Sequence, residues 1–111
     1  MDTTRQQKIC QLIKKELADI FLEDGRSLYG CMITVTKTTI SKDLSISRAY
    51  LSIYNTADVD VTMHEIRVNT KNIRFRMGQK LKNQLRIIPQ LEFFVDDSLD
   101  YYERIEALLK Q

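Results

Sequence analysis

Two runs rich in β-branched residues, CMITVTKTTI at 31–40 and SISRAYLSIY at 45–54, are separated only by SKDL. No other feature limits the fold as much. Side chains of this kind fit a pleated surface, and so short a turn joins strands only as an antiparallel hairpin. In the second run Ala49, Leu51 and Ile53 point one way, and Arg48, Tyr50, Ser52 and Tyr54 the other. One face is apolar and needs a cover.

The flanking sequence supplies it. Over 5–23, Ile9, Leu12, Ile13, Leu17, Ile20 and Phe21 recur at helical spacing. Thr3 and Gln6 form a capping box at the start. The helix is expected to stop near Gly25, with Asp24 to Gly30 as a loop. After the hairpin, Thr62 with Glu65 predicts a second helix start. Its stripe runs through Met63, Ile66, Ile73, Met77, Leu81 and Leu85. RVNTKN is poor helix material, which predicts a kink over Asn69, Thr70, Lys71 and Asn72, with Asn72 capping the helix beyond it. Pro89 ends that helix. QLEFFVD reads as a third strand with Leu91, Phe93 and Val95 inward. Asp97 or Ser98 then caps a last helix that buries Tyr102, Ile105, Leu108 and Leu109. The expected fold is α+β: α-β-β-α-kink-α-β with an added C-terminal helix, and a three-stranded sheet covered mainly on one face. At 111 residues this is one domain, 1–111.

The net charge of +2 conceals a segregation of sign. Between 66 and 91 stand seven basic residues, Arg67, Lys71, Arg74, Arg76, Lys80, Lys82 and Arg86, and no acid. From 92 to 107 the balance reverses, with Glu92, Asp96, Asp97, Asp100, Glu103 and Glu106 against Arg104. Surface helices ordinarily mix signs, because like charges at i and i+4 repel. A solvated face answered by the C-terminal acids is one explanation. A polyanion partner is the better one, since an uncompensated basic stripe is the footprint of nucleic-acid binding. Arg74, Arg76, Lys80, Lys82 and Arg86 are expected to make the main phosphate contacts, with Arg67, Lys71, Lys8, Lys14 and Lys15 assisting. Reversing the charge of Arg76 and Lys80 is expected to spare the fold and abolish binding. Gly78 would admit a backbone or a phosphate close to the helix. Zinc-finger spacing, a zipper and a helix-turn-helix pattern are absent, which favours RNA over duplex DNA. A helix break beside a small sheet is the KH arrangement, although the Gly-x-x-Gly of that loop is missing.

Other functional classes have little to stand on. His64 is the single histidine and reads as an exposed helix residue. Asp96, Asp97 and Asp100 suit a helix N-terminus better than Mg²⁺. Cys10 and Cys31 have neither ligand spacing nor a disulfide framework and read as small buried side chains. Tyr50 and Tyr54 offer base stacking, but tyrosines on a small sheet more often pack under a helix. No run is long and apolar enough to span a bilayer, and the N-terminus is not a secretory signal, so the expected location is the cytoplasm. No metal, cofactor or enzymatic activity is expected. A protein-interaction module without RNA contact is the alternative reading.

Three stretches carry a family resemblance: RQQKICQLIKKELADIF, TVTKTTISKDLSISRAYLSIY, and IRFRMG with LRIIPQLEFFVDDSLDYYERIEALL. Together they resemble the bacterial ribosome-binding factor A family over nearly the whole chain. Pro89, Leu91, Phe93, Asp96, Ser98, Leu99, Ile105 and Leu108 form the most specific part. The resemblance implies a type II KH-like fold and a non-enzymatic monomer. It implies binding to the 30S subunit precursor and 16S rRNA, a role in late rRNA processing, a need in the cold, and ribosome-assembly GTPases as further partners. The family's Ala-x-Gly kink falls on Asn69, Thr70 and Lys71, where neither small residue is present.

Overall fold

In a computed structural model of the chain, residues 4–54 and 56–96 are described. Helix α1, Thr4–Asp24, buries Ile9, Cys10, Ile13, Leu17, Ile20 and Phe21 on one side. It does not end in an open loop. A π-helical turn over Gly25–Tyr29 follows, and Gly30, at φ 69°, stops it. Glycine is required at 25, because a Cβ there would stand 2.8 Å from the Cys31 carbonyl oxygen. At Gly30 the left-handed backbone is the reason.

Strands β1, Met32–Ile40, and β2, Ile46–Tyr54, pair antiparallel, and β3, Gln90–Val95, joins β2 in parallel. The order is β1-β2-β3. A parallel neighbour needs a crossover connection. Here it is α2, Val59–Val68, and α3, Thr70–Leu81. One sheet face, with Ile33, Val35, Ala49, Leu51, Ile53, Leu91 and Phe93, closes a single core with α1, α2 and α3. Phe21 lies at its centre, edge-on to Phe93 at 5.8 Å between ring centroids. Val95, expected inward, is exposed.

Two irregularities fix the sheet. Thr36 is skipped between the Val35–Leu51 and Lys37–Tyr50 pairs, a β-bulge. Its hydroxyl donates to the Asp96 carboxylate and lies 3.2 Å from the Tyr50 carbonyl oxygen. In the hairpin turn, Asp43 accepts from the Ser41 and Ser45 hydroxyls at 2.7 Å each, and from the Ser45 N–H at 3.1 Å. Leu44 there adopts φ 64° and packs its side chain on the core.

The helix boundaries depart from the sequence reading for local reasons. α2 starts at Val59, ahead of the Thr62–Glu65 box. Asp58 is its N-cap and accepts from the Asp60 and Val61 N–H groups. Thr62 is buried inside the helix and gives its hydroxyl to the Asp58 carbonyl. The break between helices is the single residue Asn69, at φ −88°, ψ 6°. Asn72 lies within α3 and does not cap it. α3 ends at Leu81 instead of running to Pro89, but the Leu85 N–H still reaches the Leu81 carbonyl at 2.8 Å. Leu85 is therefore carried onto the buried side. Thr3 of the first capping box, the C-terminal helix, and the acids from Asp97 onward lie outside the described residues.

Candidate nucleic-acid interface

The ten cations singled out by sequence do not form one ridge. Three arginines are tied into the fold. Arg74 donates to the carbonyls of Pro89 at 3.0 Å and Ile88 at 2.7 Å. Arg67 donates to the Phe93 carbonyl at 2.9 Å. Arg76 binds Asp24 and, at 3.0 Å, Glu23, with its side chain only 30% exposed. Asp24 raises the Arg76 pKa further, chiefly through that hydrogen bond. Reversing the charge at 76 would set an acid against two acids and strain the α1–α3 contact, contrary to the expectation that the fold would be spared.

Lys80 shares Arg76's flank of α3. The hollow there is lined also by Glu16, Asp19 and Glu23 of α1. One flank of α3 thus faces acids of α1, which lie far off in sequence, and Arg76 is paired with two of them. Gly78 is not open to a phosphate either: the Ile88 side chain lies 3.5 Å from where its Cβ would stand.

What remains free falls into two groups. Lys71 and Lys82 stand exposed on the outer face of α3, beside a hollow of about 660 Å³ that also holds Arg74, Gln79 and Ile88. Arg86, beyond the helix, joins Lys8 and Arg5 of α1 around a larger hollow of about 740 Å³. Its floor is apolar, with Ile9, Leu12, Leu44 and Pro89 among its lining. Among the described residues Lys8, Lys71, Lys82 and Arg86 have no ion-pair partner. Lys14 and Lys15 are exposed but line neither hollow. Lys14 is about 120° around α1 from Lys8, and Lys15 is about 10 Å further along the same side.

At the helix break Asn69 turns inward. Its side-chain amide donates to the Tyr29 hydroxyl at 3.3 Å, and its N–H is taken by the Glu65 and Ile66 carbonyls. Thr70 returns its hydroxyl to Ile66, while Lys71 and Asn72 face solvent. On the outer sheet face Tyr50 stacks on Phe94 at 5.6 Å, with the Lys37 ammonium 6.0 Å from the Tyr50 ring centre. Tyr54 is half-buried.

Sequence reading passed over one residue of this surface. Phe75 is 65% exposed, between Lys71 and Lys82 on the outer face of α3. The signal was present: on the wheel Phe75 falls about 160° from Met77, well off the apolar stripe.

Candidates for other chemistry are quiet. His64 is exposed on α2. Cys10 and Cys31 are buried free thiols, and burial pushes the Cys31 thiol up, away from the thiolate a nucleophile needs. Of the three aspartates weighed for Mg²⁺, Asp96 is held by Thr36, and Asp97 and Asp100 lie outside the described residues. Among the described residues no helix is long and apolar enough to cross a membrane.

A mixed three-stranded sheet with a helix pair broken by one residue, in the order α-β-β-α-α-β, defines a small α+β domain of the KH-like class. The sequence profile described as Ribosome-binding factor A matches residues 5–109. Ribosome-binding factor A of Cytophaga hutchinsonii is 41% identical over 112 residues, spanning 100% of this chain and 84% of that protein. The chain belongs to the ribosome-binding factor A family. The crystal structure of ribosome-binding factor A from Thermus thermophilus superposes with a TM-score of 0.66 at 21% identity, over 81% of this chain and 94% of that one. A Thermus thermophilus homology model fitted into a cryo-EM map of a 30S complex superposes with a TM-score of 0.61 at 21% identity, over 79% and 91%.

Proposed function

We propose that this protein binds the 30S ribosomal subunit precursor in the cytoplasm, contacts 16S rRNA directly, and assists late rRNA processing without catalysing a reaction. It acts as a monomer, with ribosome-assembly GTPases as further partners and its main importance in the cold. The observation that carries the rRNA contact is the set of exposed cations Lys71, Lys82, Arg86 and Lys8, which have no ion-pair partner among the described residues. Cations already satisfied within the fold gain less from a phosphate than free ones, which release condensed counterions on contact. Lys80, Lys14 and Lys15 assist from the margins. Arg67, Arg74 and Arg76 hold the helices in place behind them.

The test is co-sedimentation of the full chain with purified small subunits. Lys71→Glu with Lys82→Glu is expected to lose binding while melting like the parent. Parent-like co-sedimentation of that variant at moderate salt would sink the reading. The apolar floor beneath Arg86 and Lys8 favours a second reading, docking on a ribosomal protein without RNA contact. Binding of that kind persists in high salt, where phosphate contacts fade.

A further inference from the structure

We infer that the outer face of α3 is a seat for an unstacked nucleobase of single-stranded RNA, with Phe75 as the stacking ring. The inference rests on the RNA-binding reading above and deepens it. Phe75 belongs neither to the hydrophobic core of the described residues nor to the side chains packed against it. It is 65% exposed, and among the described residues it enters no ring contact, whereas Phe21, Tyr29, Tyr50, Phe93 and Phe94 all do.

Its surroundings suit a nucleotide. Lys71 stands one turn before it and Lys82 about two turns after it, both on the same exposed face and, among the described residues, both unpaired. Gln79, one turn on, brings an amide able to donate and accept. The adjoining hollow has the Ile88 side chain in its wall and the Arg74 guanidinium fixed there by two carbonyls. An aromatic face flanked by free cations is how proteins hold a base while tracking its phosphates. A peptide fits less well: the hollow is flanked by Lys71 and Lys82, whose charges suit phosphates on either side of a stacked base better than an apolar side chain.

The experiment uses the full chain and a labelled single strand of about ten nucleotides, alongside the same strand made abasic. Affinity is read by fluorescence anisotropy over a salt series, and thermal melts check that each variant folds. Phe75→Leu is expected to weaken the intact strand about tenfold, to leave the abasic strand unaffected, and to keep the salt slope. Phe75→Trp restores binding. Lys71→Ala with Lys82→Ala weakens both strands and flattens the slope. Should Phe75→Leu bind the intact strand like the parent while the lysine variant is weakened, the base seat is refuted and the RNA reading survives. Loss of small-subunit binding by Phe75→Leu with RNA affinity untouched refutes it too, in favour of a protein contact. No RNA binding by the parent at low salt refutes both.

Discussion

Arg76 illustrates how a single residue's role turns on its neighbours. In sequence it is one of seven cations in an acid-free span. In the fold it joins α3 to the end of α1 through Asp24, whose side chain is 16% exposed. Glu23, at 72%, is solvated, and a bond to it adds little. Arg76→Gln is therefore expected to lower unfolding stability by about 1.5–3 kcal/mol, the range for a hydrogen bond to a charged group. Glu23→Gln should be nearly silent. Urea denaturation of the two variants tests the contrast. Asp43 offers a second test at this scale. Hydrogen bonds from Ser45 and then Ser41 hold its carboxyl down at about 2, below its ordinary value of 3.8. A depressed carboxylate contributes stability above its unfolded pKa and loses it as pH falls through the folded one. Melting temperatures of the parent and Asp43→Ala should differ at neutral pH and converge between about pH 4 and 2. A gap that stays constant across that window would count against the turn's role.

Among elements, α3 and the segment after it act together. Gly78 lets Ile88 lie against the helix, and Arg74 takes the Ile88 and Pro89 carbonyls, folding the chain back toward β3. A Cβ at 78 would meet Ile88 at 3.5–3.6 Å, an ordinary contact. Since glycine is a poor helix former, Gly78→Ala is expected to stabilise the protein by about 0.5–1 kcal/mol. A lower urea midpoint would mean that the Ile88 contact tolerates no addition. The same elements mark what was legible in the sequence. The hairpin, the parallel third strand's apolar pair Leu91 and Phe93, and α1 all follow from local period, and local period is what a sequence displays. The end of α3 does not, because Leu85 keeps the helical period by a last i+4 bond although the helix has finished. The α2 start differs because two candidate caps, Asp58 and Thr62, lie about one turn apart, and spacing does not reveal that the Thr62 side chain is buried inside the helix while the Asp58 carboxylate caps it. At the site, the cation types were legible. Which of them were already paired was not, because Glu23 and Asp24 stand more than fifty residues from Arg76.

For the whole molecule, the relevant quantity is charge left over after the fold has used what it needs. The acids on α1 cancel one flank of α3, and main-chain carbonyls take Arg67 and Arg74. Among the described residues the unpaired cations beside the two hollows are Lys71 and Lys82 on one side and Arg86 and Lys8 on the other, with Lys80, Lys14 and Lys15 at the margins. The difference changes a measurable slope. Each neutralised phosphate contributes about −0.7 to −0.9 to the dependence of log K on log salt. The four main contacts alone give about −3 to −4, the three marginal lysines would bring the slope to about −5 to −6, and all ten would give about −7 to −9. Small-subunit binding across a salt series is expected to fall less steeply than ten contacts require. Lys71→Ala with Lys82→Ala should reduce the slope by about 1.4–1.8, and Arg67→Ala should alter stability more than slope. A slope near the steeper value would mean that Arg67, Arg74 and Arg76 leave their partners on the ribosome. α3 would then have to move away from α1 when it binds, and the cost of breaking the Asp24 contact would appear as slow association.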